Sequence, residues 1–349
     1  AIDGVTLMGD GNDIVTLTGS VNVSAAPQFD GGAGADTLNI DGISLSGFTA
    51  AANNPALGNN LTLWETVDVK NAGTLKLTGN LFDAANTGVL KLSDATSTLD
   101  LQNAATAIST VNGDFDSVGV LKIDTVVGDS TSASDVLHTT GSTTGATVIQ
   151  INNLGGLGAL TTGNGILVVQ VDGNSDGTFT LPGGSLVVGQ YAYTLQKVGN
   201  NWYLQSRAAV GTVTVSKQVT VPAGASAFSG SIPFTLNCTT PSFSQAGTIV
   251  VSANQGTSSP ITVAVGSACS VTEGTLPAAP AGMEWATPVY VQPRAIVDGQ
   301  VTTATITNTL KKIAVVDGTP APVPSLNQWA LVLLSMALAG VGLFRTRVR

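Results

Sequence analysis

"LKLSDATSTLDL" (Leu90–Leu101) sets two apolar triplets, Leu90-Lys91-Leu92 and Leu99-Asp100-Leu101, on either side of an Asp-containing turn. The pattern recurs at Leu75-Lys76-Leu77, Val120-Leu121-Lys122-Ile123 and Val148-Ile149-Gln150-Ile151, punctuated by Gly, Asn or Asp. Side chains alternate across a strand, so each triplet sends two apolar side chains inward and one outward. Such recurrence approaches the period of a solenoid coil, whose stacked strands bury row after row and satisfy one another's backbone groups. The intervals are uneven, and a twisted sandwich would show similar triplets, so periodicity alone leaves both architectures open.

With 349 residues, two folded domains plus appendages are expected. Only 10% of residues are charged and 41 are Gly, a composition of short strands and tight turns that predicts an almost all-β protein. Acidic residues outnumber basic ones 22 to 13, and three of the basic residues (Arg345, Arg347, Arg349) gather at the end. The folded part is therefore acidic, which argues against a nucleic-acid partner. Residues 1–206 contain three prolines and residues 207–349 contain eleven, placing an architectural boundary near residue 207. The first residues read as mid-repeat without an initiating Met, so the chain is expected to be processed or part of something longer.

The segment "LTLWETVDVKNAGTLKLTGNL" (Leu61–Leu81) resembles a rung of autotransporter passenger β-helices. Residues 135–206 are similar to the pertactin-like C-terminal cap of those passengers, through "GTFTL" (Gly177–Leu181) and "GQYAYTLQKVGNNWYLQS" (Gly189–Ser206). In that family the cap assists folding of the stalk and covers its open end. Phe179, Tyr191, Tyr193, Trp202 and Tyr203 would supply the area for that role; the alternative is a carbohydrate-stacking platform. After residue 206 only 143 residues remain, ending in arginine instead of an aromatic barrel strand, so a self-exporting autotransporter is not expected.

"MGDGNDIVT" (Met8–Thr16) and "GGAGADTLN" (Gly31–Asn39) resemble the calcium-binding nonapeptide of RTX repeats, Met8 replacing the first glycine. The resemblance implies Asp13 and Asp36 as calcium ligands, calcium being the one cofactor suggested and none being required. The copies begin 23 residues apart instead of nine, so they need not stack as consecutive turns. The competing reading is that Gly and Asp build tight corners, with Asp capping its own backbone.

From Val213 the strands shorten to sandwich-like intervals over about a hundred residues. This segment resembles prealbumin-like, collagen-adhesin B-type domains through Lys217 in "VTVSK", Glu273 in "CSVTE" and Asn308 in "TITNTL". In that family the lysine amine attacks the asparagine side-chain carbonyl while the glutamate relays protons, leaving an isopeptide bond. Burial would supply the neutral amine this requires. The alternative leaves Lys217 solvated, Glu273 at an exposed turn and Asn308 as a turn former. Cys238 and Cys269, with thirty residues between them, suit one disulfide in an exported domain, which loop closure would make worth roughly 3 to 4 kcal/mol. Neither has a histidine or basic cluster beside it, as a reactive thiol would.

After a linker at 311–322 comes "VPSLNQWALVLLSMALAGVGLFRTRVR". Its run Trp329–Phe344 carries no charge over sixteen residues, about 24 Å as a helix. That predicts one C-terminal transmembrane helix with its arginine end in the cytoplasm. Val323, Pro324, Ser325, Leu326 and Trp329, followed by Arg345, Arg347 and Arg349, resemble the IPTL-CTERM sorting signal of Gram-negative bacteria. In that family a membrane protease-transpeptidase, an exosortase-like partner, recognises and removes the tail. A constitutive anchor is the alternative.

Parallel β-helices also carry polysaccharide-cleaving enzymes, which require paired carboxylates or a base with cationic partners. Asp114 and Asp116 are the nearest acid pair and read as turn caps, and His138 stands alone. The expected fold is thus all-β: a right-handed parallel β-helix stalk (1–134) with its cap (135–206), a small β-sandwich (213–310), the linker, and a sorting tail with a transmembrane helix (323–349). The expected function is a non-enzymatic, adhesin-like protein of a Gram-negative cell surface or outer envelope. It would be held transiently at the inner membrane and carry a host or matrix ligand that no residue pattern names. A self-associating matrix or surface-layer component is the second possibility, and a carbohydrate-active enzyme the third.

Overall fold

The computed structural model describes residues 5–19, 28–48, 61–82, 87–314 and 332–336. Up to Val171 the chain winds as a parallel solenoid. One face stacks Ile14–Leu17, Thr37–Asp41, Thr66–Lys70, Gly88–Leu92, Gly113–Ser117 and the start of Thr143–Asn153, every neighbour parallel. A second stacks Ser44–Phe48, Thr74–Leu77, Thr98–Asp100, Val120–Thr125 and the remainder of Thr143–Asn153. That long strand joins both stacks. A third includes Asn80–Leu81, Ile108–Val111, Val136–Thr139 and Ile166–Val171.

The register explains the uneven triplet spacing. On the first face Ile14 lies opposite Thr37, Thr37 opposite Thr66, Thr66 opposite Val89, Gly88 opposite Gly113 and Phe115 opposite Thr143. Rungs of 23 to 29 residues therefore align their strands and absorb length differences at the corners. Leu75, Leu77, Leu90, Leu99, Leu121, Ile123 and Ile149 are fully buried, while Lys76, Lys91 and Lys122 face outward between them. Each buried leucine contributes about 1.5 to 3 kcal/mol, an upper figure because the unfolded chain already hides part of that surface.

Corners rely on aspartate. Asp94 accepts backbone N–H groups from Thr96 and Ser97 in its own turn and from Asn71 one rung below; these bonds, with that from the Thr96 hydroxyl foremost, hold its carboxyl well below the usual range. Asp114 and Asp116 likewise accept from Ser142 N–H and the Thr144 hydroxyl of the next rung, and His138 meets Asp172 at 2.9 Å.

The stack ends by changing direction. Ile166–Val171 pairs parallel with Val136–Thr139 but antiparallel with Asn201–Ala208, which continues into Tyr191–Val198 and Leu186–Val188. Phe179 and Tyr193 are buried; the Tyr193 hydroxyl donates to Gly128 O at 2.7 Å and accepts from Ala159 N at 2.8 Å. Trp202 packs edge-on against Phe179 at 5.4 Å, so these three rings form core and not a stacking platform.

Beyond buried Ala209 a second core begins. In one sheet Val210–Thr220 runs parallel to Val301–Lys312, flanked by Gln255–Thr257 and Ile261–Ala264 on one side and by Met283–Trp285 and Val289–Val291 on the other. The other sheet is Phe243–Val251, Gly230–Thr239 and Ala268–Glu273. Arg207 clasps Asp298 through both nitrogens, at 2.8 and 2.6 Å, where the cap meets this unit.

Among the described residues no helix is long and apolar enough to cross a membrane. Residues 332–336 are helical, and the rest of the expected span lies outside the described residues, so the transmembrane part of the expected fold has no structural support.

Candidate functional site

Strand alternation places the site. Along Val210–Thr220 the inward positions are Gly211, Val213, Val215, Lys217 and Val219; along Val301–Lys312 they include Ala304, Ile306, Asn308 and Leu310. Lys217 and Asn308 thus occupy rows that are otherwise apolar, and both are fully buried. Glu273 enters from the opposite sheet, its side chain 2% exposed. That burial rules out a solvated lysine and an exposed turn carboxylate.

The three groups converge. Lys217 Nζ lies 3.2 Å from Glu273 Oε1 and donates to Asn308 Oδ1; Asn308 Nδ2 donates to Glu273 Oε2 at 2.8 Å. Lys217 Nζ also donates to Ile306 O at 3.2 Å. Burial pushes the lysine amine below its ordinary value, an effect that the Glu273 charge opposes. One carboxylate therefore touches both an amine made more nucleophilic by desolvation and the amide nitrogen that would depart.

Cys238 and Cys269 face each other in the antiparallel register and are bonded, S–S 2.12 Å, four positions before Glu273 on its own strand. Two further side chains reach this strand. Tyr290 Oη accepts the Glu273 N–H at 3.3 Å; Gln292 Oε1 accepts the Val271 N–H at 2.7 Å and its Nε2 donates to Val271 O at 3.2 Å. The sequence signal for these two residues is slight, a polar Gln just past the strand Val289–Val291 and two residues after Tyr290.

At the other end, the 23-residue offset is one rung of the solenoid. The two Gly-Asp turns, whose spacing left stacking open, do stack, with Asp10 bridged to Ala33 and Ile14 opposite Thr37. A Cβ on Gly32 would sit 1.8 Å from Gly9 O, and one on Gly34 1.8 Å from Gly11 O, so the close approach of the rungs demands glycine. Buried Asp36 accepts the Asp13 N–H through Oδ1 at 2.7 Å, and Glu65 in turn accepts the Asp36 N–H at 2.7 Å. This ladder caps corners from one rung to the next. It leaves Asp13 Oδ2 and Asp36 Oδ2 buried without a hydrogen-bond partner, which fits a hard cation. Among the described residues no three His, Cys, Asp or Glu side chains gather as a metal site. The sorting residues Val323, Pro324, Ser325, Leu326, Trp329, Arg345, Arg347 and Arg349 lie outside the described residues.

Comparison with known proteins divides the chain in the same order. Residues 85–195 match the model of Autochaperone Domain Type 1, residues 213–311 a domain of unknown function (DUF5979), and residues 321–348 the IPTL-CTERM motif. The DUF5979 match assigns no chemistry and does not bear out a collagen-adhesin B-type domain. Among relatives, the chain is 35% identical over 220 residues to "Adhesin BmaC autotransporter" of Brucella suis, covering 55% of this chain and 6% of that protein. It is 32% identical over 232 residues to "Probable autotransporter YfaL" of Escherichia coli, covering 58% and 18%. It is 31% identical over 144 residues to "Autotransporter adhesin/invasin TibA" of Escherichia coli, covering 40% and 14%. The chain thus spans less than a fifth of the length of each of these three. Together the autochaperone and sorting-motif matches and these relatives support an autotransporter passenger-like protein.

Proposed function

We propose that this chain is an exported bacterial surface protein of adhesin type, a display stalk rather than an enzyme, whose sandwich closes itself with a Lys217–Asn308 amide bond. The observation that carries the reading is the buried contact of Lys217, Glu273 and Asn308. With the amine neutral and Glu273 protonated, Lys217 nitrogen forms a bond to Asn308 Cγ. The carboxyl group gives its proton to the amide nitrogen and takes one from the attacking nitrogen, and the Cγ–Nδ2 bond breaks to release ammonia. No oxidant is involved. The bond would join the strand arriving from the solenoid to the strand leading to the tail, the path along which a surface stalk is pulled. Export would end with an exosortase-like protease acting on the IPTL-CTERM-like tail, after transient anchoring by its helix in the inner membrane.

Mass spectrometry of native protein from the cell envelope tests both claims. The expected result is a joined Lys217/Asn308 peptide lighter by one ammonia, and loss of the Trp329–Arg349 peptide. Separate, unmodified peptides would sink the cross-link, and an intact tail would sink the sorting.

The orphaned Oδ2 atoms of Asp13 and Asp36 favour a second, independent reading: calcium bound between the stacked Gly-Asp turns with these two carboxylates as ligands. Calcium at a hundredfold excess over its dissociation constant is then expected to stabilise the solenoid by about 2.7 kcal/mol. Thermal unfolding with calcium and with a chelator measures this. The Asp36→Asn variant should lose the difference, and equal melting of the wild type in both buffers would refute the site.

A further inference from the structure

We infer that Tyr290 and Gln292 are positioning residues for the amide-forming step, strapping the strand of Glu273 to the sheet that carries Lys217 and Asn308. The inference rests on the cross-link reading above and adds to it how the acid is held. Glu273 comes from a different sheet than its two partners, so the reaction requires the two sheets to be fixed against each other at this point.

Among the described residues Ala268–Glu273 is an edge strand, paired only with Gly230–Thr239. On such a strand, alternate backbone groups are left without a ladder partner. Here Val271 N–H and C=O and Glu273 N–H are taken by the side chains of Gln292 and Tyr290. Both come from Val289–Val291 and the residue after it, a strand that pairs with Val301–Lys312 in the other sheet. The register is specific: Tyr290 lies opposite Ile306, and Ile306 opposite Lys217. Tyr290, Ile306 and Lys217 therefore form one row across three strands. At one end of the row the tyrosine hydroxyl holds the acid's backbone, in the middle Ile306 O receives Lys217 Nζ, and at the other end the amine meets the acid's carboxylate. Glu273 is the charged group acting on Lys217, and Tyr290 is the other titratable side chain in contact with this strand.

Timed cell-free synthesis of the full chain, quenched in acid and read by peptide mass, measures the rate of ammonia loss. Tyr290→Phe keeps the ring and removes the acceptor; it is expected to slow the step roughly fivefold to tenfold, the worth of one hydrogen bond. With Glu273 displaced, the amine must lose its proton to solvent, so the variant's rate should rise by roughly tenfold per pH unit below the lysine's own titration. Over the same range the wild type should stay nearly flat. Gln292→Leu, at an exposed side chain, should slow the step less with the same pH slope, and it decides the matter if Tyr290→Phe does not form its Cys238–Cys269 disulfide. A wild type that keeps its ammonia overturns the cross-link and this inference together. A wild type that cross-links while both variants match its rate overturns the strap alone. Slowing without the pH slope would mean a purely structural role and would also overturn it.

Discussion

The Glu273→Ala variant is expected to keep its ammonia and to lose about 3 to 5 kcal/mol of sandwich stability, because removing one partner of a buried pair strands the other charge. Lys217 is fully buried, and among the described residues Glu273 is its ion-pair partner. The variant therefore removes the proton relay and leaves the unreacted amine without its ion-pair partner in an apolar row beside Val215 and Val219. Its loss would combine two effects, an unpaired buried amine and a missing covalent tie. The double variant Lys217→Met with Glu273→Leu separates them, since it cannot form the bond but buries no charge. Hydrogen exchange of the Val301–Lys312 strand should show single-variant protection well below wild type and double-variant protection between the two. Equal ammonia loss from the Lys217/Asn308 peptide and equal protection in Glu273→Ala and wild type would refute the assignment of Glu273.

A comparable loss is expected at the solenoid's end. Phe179 is 3% exposed and lies between Phe115, stacked at 6.5 Å, and Trp202, edge-on at 5.4 Å. Its strand, Thr178–Thr180, adds in parallel to Thr143–Asn153, whereas Trp202 belongs to the antiparallel cap strand Asn201–Ala208. One ring thus joins the last rungs to their cover. Phe179→Ala should cost about 3 to 5 kcal/mol through the lost ring and the cavity it leaves. Protection should fall together at Thr178–Thr180 and Asn201–Ala208. An uncovered parallel edge would also invite edge-to-edge association, so the variant should aggregate on heating before wild type does. If protection falls at Thr178–Thr180 and stays intact across the cap, Phe179 is a local packing residue and not a joint.

The sequence by itself determined which residues face inward. The alternation of Leu90-Lys91-Leu92 and its counterparts is a property of a single strand, whereas the burial of Lys217 and Asn308 was decided by the packed sheets. The cysteine pair and the change of architecture near residue 207 were legible for the same reason, being written in local residue types, whereas Lys217, Glu273 and Asn308 stood out only through a family resemblance. Only the tertiary structure decided what lies opposite what. The 23-residue offset between the Gly-Asp turns became a stacked corner because the chain makes one circuit between them. The choice of solenoid over sandwich for the first half depended on parallel register between strands more than twenty residues apart. Tyr290 and Gln292 entered the site by bonding to an edge strand of another sheet, and Arg207 found Asp298 from 91 positions away along the chain. Register across rungs and sheets is set by where loops turn and how much chain they absorb, and strand periodicity carries no record of either.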